Sequence, residues 1–369
     1  MIIPLISLHF VDNLAWSAAS VGLALGIRTV AQQGLAIFSG AISDKIGARG
    51  LILSGLVIRS LGFGSLALVT DFTGLLLAVT FSGIGGALFE APKNAAVAAL
   101  TPPQTRPKVY AVLGMTGSIG MALGSLLGAV LIKLGFETAA LISGAVYLLT
   151  FLINWHYLPD LRVSSGEQTA LAGFVLVLQD RRFVWFTFLL AGMFLMWSQF
   201  SLALTLEATR LAGTTDAVAW LFLVNTGTAI ALQYPMTTFS RRYFSDVHCL
   251  MLGVLMMALA LYGVAFSNTI VWLLICVAFF SIGSSLASAP QQTITAQLAN
   301  PQARGTYFGF SALAFALGGG LGNALGGVLH DFGNQIGWLG LPWILIGSSG
   351  MLTALALWFF AKTMPKNLS

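Results

Sequence analysis

Residues 81–130 of this chain have a second version at 279–328. Phe81-Ser-Gly-Ile84-Gly85-Gly-Ala-Leu88-Phe-Glu90-Ala91-Pro92 matches Phe279-Phe-Ser-Ile282-Gly283-Ser-Ser-Leu286-Ala-Ser288-Ala289-Pro290 at an offset of 198 residues. The register continues without a gap through Leu100, Pro103, Gln104 and Arg106 onto Leu298, Pro301, Gln302 and Arg304. It then carries Gly120, Gly124, Gly128 and Val130 onto Gly318, Gly322, Gly326 and Val328. Apolar similarity alone does not hold Pro, Gln and Arg in one register over about fifty residues. The chain therefore folds as two parallel copies of one unit, related by an axis along the membrane normal.

The unit is helical and membrane-embedded. Apolar runs long enough to cross about 30 Å of hydrocarbon as helix fall at 18–42, 51–69, 73–99, 109–133, 137–157, 184–206, 217–239, 250–267, 269–296, 307–329 and 342–361. Only 8% of the 369 residues are charged and 57% are hydrophobic, against roughly 25% charged in a soluble domain. Continuous runs, rather than short alternating segments, exclude an outer-membrane barrel. The fold class is thus all-α membrane protein, with two pseudo-symmetric six-helix bundles. The first covers 1–158 and the second 184–369, with a polar linker at 159–183 whose stretch Leu171–Leu178 lies along the interface. Met1–Val11 is a stub. The offset maps 184–206 onto positions −14 to 8, so the repeat predicts a first helix lacking about fourteen residues at its start.

Gly40-Ala-Ile-Ser-Asp44-Lys45-Ile-Gly47-Ala48-Arg49 reads as a tight polar loop between the first two full spans. Gly40 and Gly47 permit a sharp turn, and Asp44 can accept hydrogen bonds from a neighbouring helix start. Lys45 and Arg49 mark the cytoplasmic side; an ordinary positive-inside hairpin is the other reading. Alternating sides from this loop puts Lys45, Arg49, Arg106, Lys108, Arg162, Arg181, Arg182, Arg241, Arg242, Arg304, Lys362 and Lys366 on one face. The other face holds Lys133 and Arg210. Twelve bases against two predict a cytoplasmic C-terminus in a bacterial inner membrane. The net charge of +5 then belongs to loops and is no sign of nucleic acid.

Cys249, Cys276 and four scattered histidines match no metal-ligand spacing, and no phosphate loop or nucleophile elbow occurs. The expectation is a monomer with no cofactor, no metal and no enzymatic activity, partnered by lipid, protons and a small-molecule substrate.

The loop resembles the G-x-x-x-D-[RK]-x-G-[RK]-[RK] signature of the major facilitator superfamily, with Ala48 where a base is expected. Pro4–Asp12, Gly85–Pro92 and Arg304–Phe310 are similar to the superfamily's bacterial drug:proton antiporter branch. The resemblance spans essentially the whole chain. It implies the major facilitator fold, transport by rocking of two halves, and the loop Gly40, Asp44, Lys45, Gly47 and Arg49 as a conformational switch. Two positions depart from the branch: Val79 stands where many proton-coupled members carry a fourth-span arginine, and Ser125 where antiporters carry a fifth-span proline.

Buried charge marks the candidate site, because an ionised group at the bilayer centre costs at least a few kcal/mol and so faces a cavity or a partner. Arg28, Arg59 and Lys93 lie inside spans, and Glu90 reads as the only carboxylate well inside one, beside Pro92. Glu90 either carries the coupling proton or pairs with Lys93 at i+3. Arg28 and Gln32, one turn apart, line a cavity unless Arg28 snorkels; Arg59 reads as structural. Phe89, Trp197, Phe200, Gln199, Asn225, Gln233 and Gln291 are the other candidates for an aromatic and amide cavity. Gly120, Gly124, Gly128, Gly318, Gly322 and Gly326 have the small-x-x-x-small spacing of packed helices. The reading is a secondary transporter, with proton-coupled efflux of lipophilic drugs ahead of a facilitator or symporter for a small polar metabolite. A non-transporting receptor or membrane enzyme is the remaining class.

Overall fold

The computed structural model describes residues 2–100, 113, 116, 117, 119, 120, 123, 124, 126–128, 130–159, 170–299 and 304–363. Arg106, Lys108, Ser125, Arg162 and Lys366 lie outside the described residues, as do the side chains of Gly40, Asp44, Lys45, Gln233, Arg241, Arg242 and Arg304. The described chain is all helix and connector. The helices are α1 (Ile2–Ser7), α2 (Ala18–Ile46), α3 (Ala48–Ser65), α4 (Phe72–Leu100), α5 (Phe136–Tyr157), α6 (Ala170–Gln179) and α7 (Arg181–Trp197). They continue with α8 (Ala203–Ala212), α9 (Asp216–Tyr243), α10 (Asp246–Val264), α11 (Ile270–Leu298), α12 (Arg304–Gln335) and α13 (Leu341–Thr363). Among the described residues eight helical segments are long and apolar enough to cross a membrane, and Ile2–Asn13 and Asp216–Leu232 are shorter apolar helices.

The repeat is present in three dimensions. The offset of 198 residues carries α4 onto α11 end for end, Phe72 onto Ile270 and Leu100 onto Leu298, each helix with its internal proline, Pro92 or Pro290. It carries the start of α2 onto that of α9 and the start of α3 onto that of α10. The packing partners repeat too: α3 lies on α4 and α5 as α10 lies on α11 and α13, and α2 lies on α4 as α9 lies on α11. Glycine sets the closest of these contacts. A Cβ on Gly55 would sit 2.7 Å from the carbonyl oxygen of Gly85, and one on Gly253 would sit 2.6 Å from that of Gly283. In lipid there is no hydrophobic drive to join two apolar helices, so bare backbones that approach closely supply the dispersion energy instead.

One sequence expectation is corrected. Gly40–Arg49 is not a loop: α2 continues to Ile46, α3 restarts at Ala48, and the joint is Gly47 alone at φ +93°. Its N–H closes the end of α2 on the Ser43 carbonyl at 2.9 Å. Polar residues past the end of an apolar run can stay helical in the headgroup region, and only the residue needing positive φ must be glycine.

The helix alternation places the connectors 14–17, 66–71, 213–215, 265–269 and 336–340 on one face, together with Lys133 and Arg210; this is the base-poor face. The two halves meet there. Gly22 packs on the Asn323 carbonyl, Gly327 on that of Ala18, and a Cβ on Gly26 would lie 2.6 Å from the Gly320 carbonyl. Leu202, Leu206 and Val218 of the second half share a buried cluster with Ile6, Val21 and Leu25 of the first. Farther along α2, a Cβ on Gly34 would meet nothing within 4 Å among the described residues. The halves are closed at the base-poor face.

The α3–α4 contact yields a stability prediction. A side chain at Gly85 would have its Cβ 2.6 Å from both Arg59 N and Gly55 O. Gly85→Val therefore loses about 1–3 kcal/mol by overpacking. Gly64→Ala, where an added Cβ meets nothing within 4 Å, leaves the melting temperature unchanged or raises it slightly. Thermal unfolding in detergent reads both, and equal melting temperatures would show that the helices adjust freely.

Candidate functional site

Four helices of the first half converge on a charged cluster. Arg28 of α2 is buried because α2 and α4 approach closely: a Cβ on Gly83 would sit 2.6 Å from the Arg28 carbonyl, and one on Gly86 would sit 2.8 Å from Gln32 Cδ. The guanidinium turns toward α4 rather than to the interface. Its Nε donates to Ser82 Oγ at 3.2 Å and its Nη2 to Gln32 Oε1 at 3.0 Å. Arg59 of α3 lies on the other side of the same aromatic neighbourhood. Phe63 has the Arg28 guanidinium 6.0 Å and the Arg59 guanidinium 5.9 Å from its ring centre, and Tyr147 of α5 has Arg59 at 5.0 Å. Such contacts contribute about 0.5–2 kcal/mol each, depending on desolvation, and take part of the cost of holding two like charges in a low dielectric.

Glu90 of α4 is the single carboxylate of the cluster. Its Oε2 is 3.4 Å from Lys93 Nζ and its Oε1 4.0 Å from Arg59 Nη1. Lys93 also lies over the Phe89 ring at 5.2 Å. The Glu90 side chain is 44% exposed, so it is reachable while the two arginines are buried. The Arg59 Nε is buried with no hydrogen-bond partner among the described residues. Two bases, Arg59 and Lys93, thus flank one acid, with Arg28 at the neighbouring Phe63 ring, and the acid is the most exposed member. The repeat positions of Arg28, Arg59, Glu90 and Lys93 are Thr226, Met257, Ser288 and Gln291, all uncharged. The charge belongs to one half alone.

Arg28, Gln32, Phe89 and Glu90 are brought together. Trp197, Gln199 and Asn225 take their partners within the second half. Trp197 meets Phe315 edge-on at 5.6 Å, Asn225 accepts from Ser281, and Gln291 is half-buried on α11. Gln199 is a correction: it is buried in the break between α7 and α8, and its amide donates to the carbonyls of Leu195 at 2.8 Å and Gly322 at 3.0 Å. Its polar atoms hold helices together rather than facing a cavity. Gly318 lies on the Ala191 backbone, Gly322 on Leu195 and Ser198, and Gly326 on Gln199. Gly124 is half-buried and Gly128 buried, but Gly120 is exposed and an added Cβ there would meet nothing within 4 Å among the described residues. Close packing at Gly120 is therefore not found among the described residues. At the α2–α3 joint, Arg49 Nη2 donates to the Trp155 carbonyl of α5 at 2.8 Å.

The structure also holds charged groups that the sequence reading missed. Glu207 of α8, just past the apolar run 184–206, is more deeply buried than Glu90, its side chain only 5% exposed. Arg210 grips it with two hydrogen bonds, Nη2 to Oε1 at 2.6 Å and Nε to Oε2 at 3.0 Å, and Ser267 Oγ lies at 3.5 Å. Glu207, Arg210, Ser267, Asn268 and Trp338 line a cavity of about 230 Å³ at the base-poor face. The i,i+3 spacing of Glu207 and Arg210 was the available signal. Glu90 is therefore not the only carboxylate inside a helix, but it is the more exposed of the two, beside Arg59 and Lys93.

Comparison with known proteins bears on the whole chain. The family model described as Major Facilitator Superfamily matches residues 1–211 and again 193–368, once for each copy of the repeat. Multidrug resistance protein MdtH of Aeromonas hydrophila subsp. hydrophila is 39% identical over 357 residues, covering 97% of this chain and 90% of that protein. Among solved structures, a POT family transporter in complex with a thioalcohol-conjugated peptide superposes with a TM-score of 0.81 at 13% identity, covering 99% of this chain and 93% of that one. A bacterial homolog of the human lysosomal transporter Spinster, in an inward-facing and occupied conformation, superposes with a TM-score of 0.78 at 16% identity, covering 100% and 94%. Repeat, helix packing, matched family model and related sequences agree, and the chain belongs to the major facilitator superfamily of membrane transporters.

Proposed function

We propose that this chain exports lipophilic compounds in exchange for protons, opening alternately to either side of the membrane. The observation that carries the coupling is Glu90, a half-exposed carboxylate within 4.0 Å of Arg59 and Lys93. Ionised, it balances part of a cluster that otherwise holds three positive charges. Protonated, it releases Arg59 and Lys93 and leaves that charge uncompensated, so one proton changes the electrostatics of four helices at once. The similarity to proteins named for multidrug resistance supports a lipophilic cargo, for which non-directional burial suits many shapes. Closure of the halves at the base-poor face is the arrangement expected of a state open to the cytoplasm. Asp44 at the far end of α2 is retained as part of the switch.

One observation favours a second reading. The cluster carries a surplus of positive charge, which would suit a small anionic metabolite better than a lipophilic cation. Transport of such an anion with inhibition by Glu90→Gln would identify it.

Two outcomes are expected. In proteoliposomes, Glu90→Gln abolishes uphill efflux driven by a pH gradient and leaves downhill counterflow of a labelled lipophilic substrate in place; normal gradient-driven efflux in this variant would end the coupling role. The pair with Lys93 is partly exposed and contributes only about 0.3–0.5 kcal/mol, so Glu90→Gln and the double variant Glu90→Gln/Lys93→Gln melt within about 2 °C of each other. A large recovery of stability in the double variant would instead make Glu90 a structural partner of Lys93.

A further inference from the structure

The start of α2 is completed by a residue from the other half of the molecule. A helix start leaves its first four N–H groups without intrahelical acceptors. Here Ser20 N–H donates to Ser17 Oγ at 3.1 Å, and the i→i−4 ladder begins only with Val21 N–H on Ser17 O at 3.3 Å. The N–H groups of Ala18 and Ala19 donate to Asp331 of α12, to Oδ1 at 3.1 Å and to Oδ2 at 2.8 Å. Asp331 is thus a helix cap supplied across the interface between halves, in the place where a carboxylate also meets the positive end of the helix dipole.

The repeat gives this contact a twin. The offset of 198 residues carries Ala18 onto Asp216, the first residue of α9, and Lys133 onto Asp331. Lys133 and Asp216 touch as well: Nζ lies 2.9 Å from Oδ1, again joining one half to the other at the base-poor face. The same two repeat positions therefore meet twice about the pseudo-two-fold axis with their chemistry exchanged. On one side a carboxylate reaches bare N–H groups; on the other a lysine reaches a carboxylate at a helix start. Between the two contacts and the centre, Asn323 Nδ2 donates to Thr29 Oγ1 at 3.3 Å, and glycines 22, 26, 320 and 327 let the backbones touch. Glycine contacts are smooth and set no stopping point; the polar pairs do.

We propose that Asp331 and Lys133 form a two-point latch that holds the halves shut at the base-poor face, with Asp331 the stronger member. This rests on the alternating-access reading above. The Lys133 side chain is 60% exposed, and exposed ion pairs add little. Asp331 makes two charge-assisted hydrogen bonds that separation of the halves must break, returning both N–H groups and the carboxylate to water. The loss is modest because water replaces each bond, as a gate that opens in every cycle requires.

Hydrogen–deuterium exchange of the purified full chain, read by mass spectrometry without substrate or gradient, tests the latch. Asp331→Asn should raise exchange roughly five- to tenfold at 18–21. It should also raise exchange at the other base-poor segments, 131–135 and 214–219, and slow exchange around Gly47 and at 150–157 as the far side closes. Lys133→Met should give the same pattern with smaller amplitude, and Asp331→Glu should restore most of the protection. A rise confined to 18–21 would show a local cap and no latch, and unchanged exchange in both variants would likewise overturn the proposal. Because no transport is measured, failure here is separable from failure of proton coupling at Glu90, which the efflux of Glu90→Gln reads alone.

Discussion

Backbone meeting backbone through glycine is the contact on which this structure depends. Lipid solvates an apolar helix as well as another helix does, so segments join only where they fit more closely than lipid can. Gly55 with Gly85 and Gly253 with Gly283 lock the third and fourth helices of each copy in the same way. Gly22, Gly26, Gly320 and Gly327 do so between the copies. Rigid pairing within a half and smooth contact between halves come from one device, and only the polar residues added to it distinguish the two.

The charged cluster breaks the symmetry that the glycines keep. Arg28, Arg59, Glu90 and Lys93 are built on helices whose counterparts superpose in register, yet their repeat positions carry Thr226, Met257, Ser288 and Gln291. Duplicating the scaffold therefore does not duplicate the chemistry. Buried charge is costly in a membrane, and two such clusters would double that cost. The second half spends its polar groups on internal ties instead, with Gln199 on Gly322 and Asn225 on Ser281.

Much of the scaffold is legible in the sequence because it rests on register. Pro92 and Pro290 fix α4 against α11, and the helix bounds follow at both ends. The joint at Gly47 is not legible in the same way: polar residues mark the end of the hydrocarbon layer, which the helix overruns. Side-chain direction is also hidden. Arg28 next to Gln32 specifies a helix face, but only the approach of Gly83 and Ser82 decides that the guanidinium turns to α4. Glu207 escapes notice because the break at Ser198–Leu202 shifts the seventh helix and draws a residue past the apolar run into the interior. Asp331 acts on Ala18 from 313 positions away, and nothing local to either residue announces the pair.

Gly47 has a mechanical meaning beyond its backbone angle. The helix that touches the opposite half, α2, and the helix that carries Arg59, α3, are connected by one residue, so their ends lie at most about 7 Å apart. There is no slack between them. Tilting α2 against α12 would drag the near end of α3, the two acting as the arms of a bell crank pivoting on a single residue. With Arg49 anchored on α5 beside the pivot, any displacement of α2 at the base-poor face would reach the surroundings of Glu90 as movement of whole helices, with no flexible connector between to absorb it.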